Sequence, residues 1–439
     1  MFLPEKDRLS DRRYRAYLGE RYRVLGGYTG VLFCLIGVII TAPAGLVLIF
    51  PGEKETAMGF LWPGLVLTFF GAVLRITLRP KENDFLSTTE GAAIVVMAWS
   101  GAIIAGAVPF HWAGLDVTQA VFEATSGWTT TGLSVIDVAR ISPLLLFFRS
   151  LMQLAGGAGL AILMLGAMSG PAGVGLSTAE GRTDQLVPQV RQSARLVLKL
   201  YTLYTLLGVA ALQFAGMDWF DAVNHTFCAV STGGFSTRLD SIGFWNNPAI
   251  EAVLILLMLL GTTNFLTVYT IGHGRLGAVL RNGELRVMAL LLTVSVILLF
   301  CGATFTAYKN ASEQFRMAIF QAVSALSTTG YATVSFSGWN GFALLIIIIL
   351  MLVGGGTGST AGGIKQHRIY LLAKGLKREL SKVFFSAKVV SEDVFWLGNQ
   401  RRFLEESDLL KAGLYIALYL FTWLTGGCAI AAFGYPLAD

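Results

Sequence analysis

The sequence predicts an all-α polytopic membrane protein built from repeated helix–pore loop–helix units. Of its 439 residues, 54% are hydrophobic and only 14% are charged, whereas about a quarter of the residues of a soluble domain are charged. Apolar runs of roughly 20 residues, the length that a helix needs to cross a ~30 Å hydrocarbon layer, recur along the chain. A short Ser/Thr/Gly-rich stretch also occurs three times between such runs.

The chain opens with a polar segment, residues 1–26, that is rich in Arg and Lys. No short apolar core with a cleavage site occurs there, so we expect no removable signal peptide. Residues 27–89 are predicted to form an N-terminal transmembrane hairpin, because apolar runs at 27–50 and 59–77 are joined by a short polar turn.

A helix, a short amphipathic segment and a second helix then recur in order. The predicted units are pore unit 1 (90–169), pore unit 2 (170–273), pore unit 3 (274–370), a cytosolic linker (371–408) and the first helix of an incomplete unit 4 (409–439). In unit 1, the first span, the pore segment and the second span are predicted at 90–109, 116–134 and 142–169. The corresponding segments are 194–215, 218–236 and 247–272 in unit 2, and 285–306, 312–332 and 340–369 in unit 3. Most Lys and Arg residues fall on the side that holds residues 1–26, so the positive-inside rule predicts a cytosolic N-terminus.

The repeated stretch occupies residues 123–134, 225–236 and 321–332, aligned on glycines that lie 102 and then 96 residues apart. Such a period suits duplicated helical units in a membrane protein. Each copy begins as a helix of about three turns, with Asp116, Asp218 and either Asn310 or Ser312 as predicted N-caps. A helix this short cannot cross a bilayer, so we predict three re-entrant loops.

These loops have the composition of a cation site. The carbonyl end of each short helix is its negative pole, and irregular backbone at membrane depth is tolerated only where it lines a water-filled cavity or is buried in protein. Inward carbonyl oxygens can replace the hydration shell of an ion. One Ser/Thr/Gly cluster would equally fit close helix packing, but three copies at matched positions favour one shared ion path.

The motifs FEATSGWTTTGLS, FCAVSTGGFST and FQAVSALSTTGYAT, followed by GGGTGSTAGGIK, resemble the TrkH/KtrB superfamily of potassium uptake proteins over nearly the whole chain. The extra N-terminal hairpin favours the TrkH branch. The resemblance implies a channel-like subunit with pseudo-fourfold arrangement in the cytoplasmic (inner) membrane. It also implies a homodimer gated by a cytosolic nucleotide-binding subunit of the TrkA type, with nucleotide bound only by that partner.

By this resemblance the chain has a selectivity filter for K⁺, its transported ion. The ion-binding residues are expected to be Thr130, Thr131, Gly132, Thr232, Gly233, Gly234, Thr328, Thr329 and Gly330. In plant relatives, serine at the first filter glycine accompanies sodium preference, so Gly132 favours potassium.

A glycine-rich stretch follows the apolar run 342–353. The resemblance implies an intramembrane gate made of Gly354, Gly355, Gly356, Thr357, Gly358, Ser359, Thr360, Ala361, Gly362 and Gly363. A Gly-rich seam for helix packing is the alternative, and the two are compatible. The stretch also fits G-x-G-x-x-A, but a dinucleotide site needs a preceding strand in a βαβ unit, which membrane spans do not provide.

The expected function is potassium uptake, and the alternative is a sodium- or proton-coupled potassium symporter. We expect no enzyme, because the sequence offers no nucleophile–base pair, and no bound cofactor. The four cysteines lack metal or disulfide spacing, and the basic residues lie between apolar runs, so contact is expected with lipid and not with nucleic acid. Glu123 is expected to hydrogen-bond structurally, and Arg149 to snorkel outward or brace a pore helix. Because relatives continue through a fourth pore loop, we expect the sequence to be truncated; the alternative is that the missing quadrant comes from elsewhere. The expected function is that of the intact protein.

Overall fold

The computed structural model describes residues 5–79, 86–159, 190–274, 277, 281–303, 310–384, 394–397 and 400–434. The predicted end of the first inner span (160–169) and most of the segment 170–199 therefore lie outside the described residues. The described chain is predominantly helical.

The helices are α1 (Glu5–Thr41), α2 (Lys54–Thr77), α3 (Thr88–Trp112), α4 (Val117–Trp128), α5 (Pro143–Ala158), α6 (Val190–Phe214), α7 (Trp219–Val230), α8 (Pro248–Thr262), α9 (Phe265–Gly272), α10 (Gly283–Leu298), α11 (Ala311–Leu326), α12 (Gly341–Val353), α13 (Gln366–Phe384) and α14 (Glu406–Ala432). Short 3₁₀ segments lie at Ala42–Leu48, Pro51–Glu53 and Ser241–Phe244, and a π-helical turn at Leu299–Ala303 extends α10. An antiparallel hairpin pairs β1 (Val394–Leu397) with β2 (Gln400–Phe403).

Within the described residues, six helices are long and apolar enough to cross a membrane, and a bent helix pair would make a seventh span. The six are Tyr17–Leu48, Pro51–Thr77, Thr89–Trp112, Arg195–Phe214, Gly283–Gly302 and Glu406–Ala432. The predicted architecture of several membrane-spanning helices is thus confirmed. The chain divides into two compact units, residues 1–257 with 329–333 and residues 258–328 with 334–439.

In the first unit, α1 and α2 form the predicted hairpin and touch through glycines. A Cβ on Gly30 would lie 2.6 Å from the Gly71 carbonyl oxygen, and one on Gly37 would lie 2.5 Å from that of Gly64. Small residues allow this close backbone approach, which is how helices associate where lipid removes the hydrophobic driving force. The hairpin packs with α3, α4 and α5 around one buried apolar cluster that includes Trp128.

In the second unit, α10, α11 and α12 pack around a core of Ala, Ile and Leu side chains. A smaller apolar cluster joins α13 and α14 to the β1–β2 hairpin. It contains Leu371, Phe395, Leu404 and Ala412. The strands fall inside the segment expected to be a linker. Gly375 of α13 allows close contact with α14, because a Cβ there would lie 2.7 Å from the Leu409 side chain.

Both later inner spans are interrupted. The predicted span 340–369 is split into α12 and α13 by the glycine-rich stretch, as the cluster of glycines suggested. The predicted span 247–272 is bent, because α8 and α9 meet at an angle of 112°. The side chain of Asn264 accepts a hydrogen bond from the Leu266 N–H at 2.8 Å, so Asn264 is the N-cap of α9. The hydrophobic sequence on both sides of Asn264 gave no sign of this break.

Candidate functional site

Three short helices, α4, α7 and α11, lead into the repeated turns. Asp116 accepts a hydrogen bond from the Gln119 N–H at 2.9 Å, and Asp218 accepts one from the Phe220 N–H at 3.1 Å, so both predicted N-caps are confirmed. Asn310 occupies the N-cap position of α11 without a side-chain cap bond. The carbonyl ends of α4 and α7 therefore lead directly into the glycine-centred turns of the first unit.

The helices end in the same local geometry. After α4, the Thr130 N–H donates to Gly127 O at 3.2 Å and the Thr131 N–H donates to Ser126 O at 2.9 Å, the two bonds of a Schellman motif. The matching bonds of the other copies are Thr232 to Ala229 (3.1 Å), Gly233 to Cys228 (2.8 Å) and Thr328 to Ala325 (3.0 Å). The repeat seen in the sequence is therefore also a repeat of backbone hydrogen bonding.

Each copy holds a threonine in a strained conformation. The φ angles of Thr130, Thr232 and Thr328 are 55°, 53° and 55°. A β-branched residue at positive φ is a genuine outlier, and such residues cost roughly 1–3 kcal/mol and cluster at functional sites. The same strain in three copies indicates that the surrounding structure imposes it.

Two residues later come the glycines on which the copies align, and they bring the turns side by side. A Cβ on Gly132 would lie 2.2 Å from the Gly233 oxygen, and one on Gly234 would lie 1.9 Å from the Thr329 oxygen. Each of these two glycines therefore lies against the carbonyl group of the residue just before the aligned glycine of the next copy. At Gly330, no atom of the described chain comes within 4 Å of such a Cβ. With φ near 80° as well, the first two positions accept only glycine without a shift.

Gln153, on α5, was not singled out by sequence reasoning. Its amide donates to the Gly233 oxygen at 2.7 Å and accepts from the Phe235 N–H at 3.1 Å. The side chain is fully buried, so it holds the second turn from both sides of Gly234. The Gly233 carbonyl is thus already hydrogen-bonded to protein. The sequence signal that could have identified Gln153 is the presence of a glutamine within an apolar span.

A buried ion pair lies behind the first two turns. The exposed fractions of the Arg149 and Glu123 side chains are 2% and 0%, and their nearest charged atoms are 3.6 Å apart. Arg149 donates to Ser134 Oγ at 2.9 Å and to the Ser236 carbonyl at 3.3 Å, and its guanidinium lies 4.0 Å from the Phe235 ring centre. Arg149 therefore braces two turns and does not snorkel, and Glu123 has the expected hydrogen-bonding role.

Equivalent positions in the repeats take equivalent partners. Ser134 donates to the Glu123 carboxylate, and the Ser236 hydroxyl lies 2.9 Å from His225 Nε2, eleven residues apart in both cases. The third copy has alanine at the serine position. There the buried Tyr331 hydroxyl donates to the His225 carbonyl at 3.0 Å. The third turn is thereby tied to the second.

The glycine-rich loop, residues 354–363, is an ordered turn inside the second unit. The Gly356 N–H donates to Thr262 O at 2.9 Å, and the Thr360 N–H donates to Gly261 O at 3.0 Å. The Gly362 N–H donates to Thr328 Oγ1 at 2.7 Å. This last bond connects the predicted gate to a predicted ion-binding residue.

Glycine is also needed where the loop folds on itself. A Cβ on Gly354 would lie 2.2 Å from the Gly362 oxygen, and Gln366 donates through its side chain to Gly354 O at 3.0 Å. A helix, α12, precedes the loop where a dinucleotide site would have a strand. The fingerprint match is therefore coincidental. Across the part of the chain that is described, no group of three or more His, Cys, Asp or Glu side chains could hold a metal.

Comparison with known proteins decides the family. The family profile described as "TrkH: Cation transport protein" matches residues 58–426. The chain belongs to the TrkH family. The Trk system potassium uptake protein TrkH of Escherichia coli (strain K12) is 31% identical over 425 residues, covering 94% of this chain and 86% of that protein. The Trk system potassium uptake protein TrkG of the same strain is 30% identical over 387 residues, covering 85% and 78%.

The fold of the TrkH family is also matched by a solved structure. The crystal structure of the potassium transporter TrkH from Vibrio parahaemolyticus aligns with a TM-score of 0.81 at 26% identity, covering 94% of this chain and 86% of that one. The predicted superfamily, the helical membrane fold and the expectation of a transporter in place of an enzyme are therefore confirmed.

Proposed function

We propose that this TrkH-family chain takes up potassium across the cytoplasmic membrane through a channel-like pore. The observation that carries the proposal is the contact of successive glycine turns, Gly132 with Gly233 and Gly234 with Thr329. It brings carbonyl-rich backbone from separate repeats to one place, as a site that replaces the hydration shell of an ion requires. The relatives named for potassium uptake support K⁺ as the ion.

The nine predicted ion-binding residues are the proposed filter, and they need not contribute equally. The Gly233 oxygen accepts a hydrogen bond from Gln153, so we assign Gly233 chiefly to fixing the filter backbone. The hydroxyl of Thr328 accepts from the Gly362 N–H, so we assign that side chain to the junction of filter and gate. The strained threonines support a function for these turns, because strain of this kind is concentrated at binding sites.

The glycine-rich loop 354–363 is the proposed gate. Its bonds to Thr328, to α13 through Gln366 and to the end of α8 connect it to elements on which a regulatory partner could act. A cytosolic subunit of the TrkA type, a homodimer and a cytosolic N-terminus remain proposals. The basic residues Lys374, Lys377 and Arg378 of α13 are the ones we assign to the cytosolic face.

The membrane potential can drive this uptake alone. It supplies about 2.3 kcal/mol per charge per 100 mV, which at about 1.4 kcal/mol per tenfold supports accumulation of roughly forty- to fifty-fold. A symporter would need intramembrane carboxylates for coupling. Glu123 is committed to Arg149 and Ser134, so we do not assign it to coupling.

Two experiments test the proposal. A strain deficient in potassium uptake should be rescued by the chain and by Gly52→Ser, an exposed position where a Cβ meets nothing within 4 Å, but not by Gly132→Ser or Gly234→Ser. Normal growth of both filter variants at limiting potassium would refute the filter assignment. In proteoliposomes, Rb⁺ influx under an imposed potential should persist without a sodium or pH gradient. Influx that requires either gradient would favour the symporter.

A further inference from the structure

The glycine-rich loop is held by the break between α8 and α9. A helix end leaves carbonyl groups without intrahelical partners, and the 112° bend prevents α9 from supplying them. The N–H groups of Gly356 and Thr360 in the loop donate to Thr262 O and Gly261 O instead. The Thr360 hydroxyl donates a second hydrogen bond to Gly261 O at 2.9 Å. The break in one inner helix is therefore stabilised by the loop that interrupts another.

A buried carboxylate holds the same loop from a third helix. Glu284, in the first turn of α10, has an exposed fraction of 6%, and its Oε1 accepts the Thr357 N–H at 2.9 Å. Its other oxygen lies 3.5 Å from the place of a Cβ on Gly356. Asn282 orients this turn by accepting the Glu284 N–H at 2.9 Å.

We propose that Glu284, together with the carbonyl end of α8, is a latch that holds the loop in the observed conformation. Glu284 is a positioning residue, because it acts through the loop that it binds at Thr357. Glu284 Oε1 accepts the Thr357 N–H from a third helix, so the Glu284 side chain is the element of the latch that the test removes first. Release of the loop requires Thr357 to lose this acceptor and the end of α8 to find other donors. The regulatory meaning of the latch rests on the proposed gate.

The test measures loop exposure directly. Thr357→Cys keeps the backbone N–H that Glu284 binds, and it is placed in the full-length chain with Cys34, Cys228, Cys301 and Cys428 replaced by alanine. The rate of modification by a water-soluble thiol reagent is compared with and without Glu284→Ala. We expect a rise of about tenfold or more, which corresponds to about 1.4 kcal/mol or more. An unchanged rate would overturn the latch.

Matched variants separate the latch from general loosening of α10. Glu284→Gln keeps an acceptor oxygen and should restore most of the protection. Asn282→Ala removes the cap of the same turn but leaves the carboxylate, so it should raise the rate much less than Glu284→Ala. Equal rates in Glu284→Ala and Asn282→Ala would refute a specific latch. If Glu284→Ala does not fold, Thr360→Val removes one hydroxyl bond of the latch and should give a smaller rise, whereas no rise would count against it.

Rb⁺ flux in proteoliposomes distinguishes this inference from the proposed gate. Faster modification with higher flux supports both. Faster modification with unchanged flux leaves the latch standing and refutes the loop as the gate. Unchanged modification with altered flux refutes the latch and leaves the gate.

Discussion

Replacing Gly234 with alanine should destroy selective conduction, because the added methyl group has no room. Its Cβ would lie 1.9 Å from the Thr329 oxygen, where ordinary van der Waals contact begins at 3.4 Å. One of the two turns must then move by about 1.5 Å. Binding groups need to stay within about 0.5 Å of their working positions, so the displacement is about three times what such a site tolerates.

Substitutions at the three aligned glycines separate two contributions to the damage, namely backbone strain and steric overlap of the added Cβ. All three have φ near 80°, and a side chain in the left-handed region costs roughly 1–2 kcal/mol. Forced overpacking adds about 1–3 kcal/mol at Gly234, and Gly132 should behave similarly because its Cβ would lie 2.2 Å from an oxygen. Gly330→Ala isolates the backbone strain, since no atom of the described residues lies within 4 Å of that Cβ.

The assay is Rb⁺ influx into proteoliposomes with sodium as competitor, paired with thermal unfolding of the purified variants. Gly132→Ala and Gly234→Ala should lose at least about tenfold in discrimination, or about 1.4 kcal/mol, and should unfold earlier than Gly330→Ala. Wild-type discrimination in Gly234→Ala would refute the reasoning. So would a Gly330→Ala variant of this chain that is as damaged as Gly234→Ala.

Two further outcomes can be measured on the same preparations. Gln153→Leu should destabilise the protein by about 1–3 kcal/mol, because it leaves the Gly233 oxygen and a buried N–H without partners, and Rb⁺/Na⁺ discrimination should fall with it; intact discrimination would contradict the role of Gln153. Arg149→Ala should cost about 3–5 kcal/mol in thermal or denaturant unfolding by leaving the Glu123 charge buried and unpaired, and Arg149→Ala with Glu123→Gln should recover part of that loss.

The recurrence of the turns could be predicted from the sequence because one residue pattern is repeated at a fixed spacing. In each copy a short predicted helix is followed by a threonine and, two residues later, by Gly132, Gly234 or Gly330. The loop at 354–363 was equally visible, since glycines in that density cannot continue a helix. Local chemistry therefore gave the parts of the candidate site.

What holds the parts together could not be predicted, because it depends on which side chains meet. Gln153 lies 80 residues from Gly233 in sequence, and nothing local to α5 identifies its partner. The bend at Asn264 was hidden for the same reason. A break inside an apolar run is stable only if other groups bind the exposed carbonyls, and here those groups come from the loop about 95 residues later.

The strained threonines combine a local sequence pattern with a conformation that long-range contacts impose. Glycine at the position of Thr130, Thr232 or Thr328 would relieve a φ near 55° and would be the ordinary end of a helix. The hydroxyls do not explain the threonines as a group, because that of Thr232 donates to its neighbour's carbonyl whereas that of Thr328 accepts from the loop. Their common property is a stiff, β-branched side chain. Glycine would let the following carbonyls rotate, whereas threonine, once held in place by the surrounding protein, restricts their rotation.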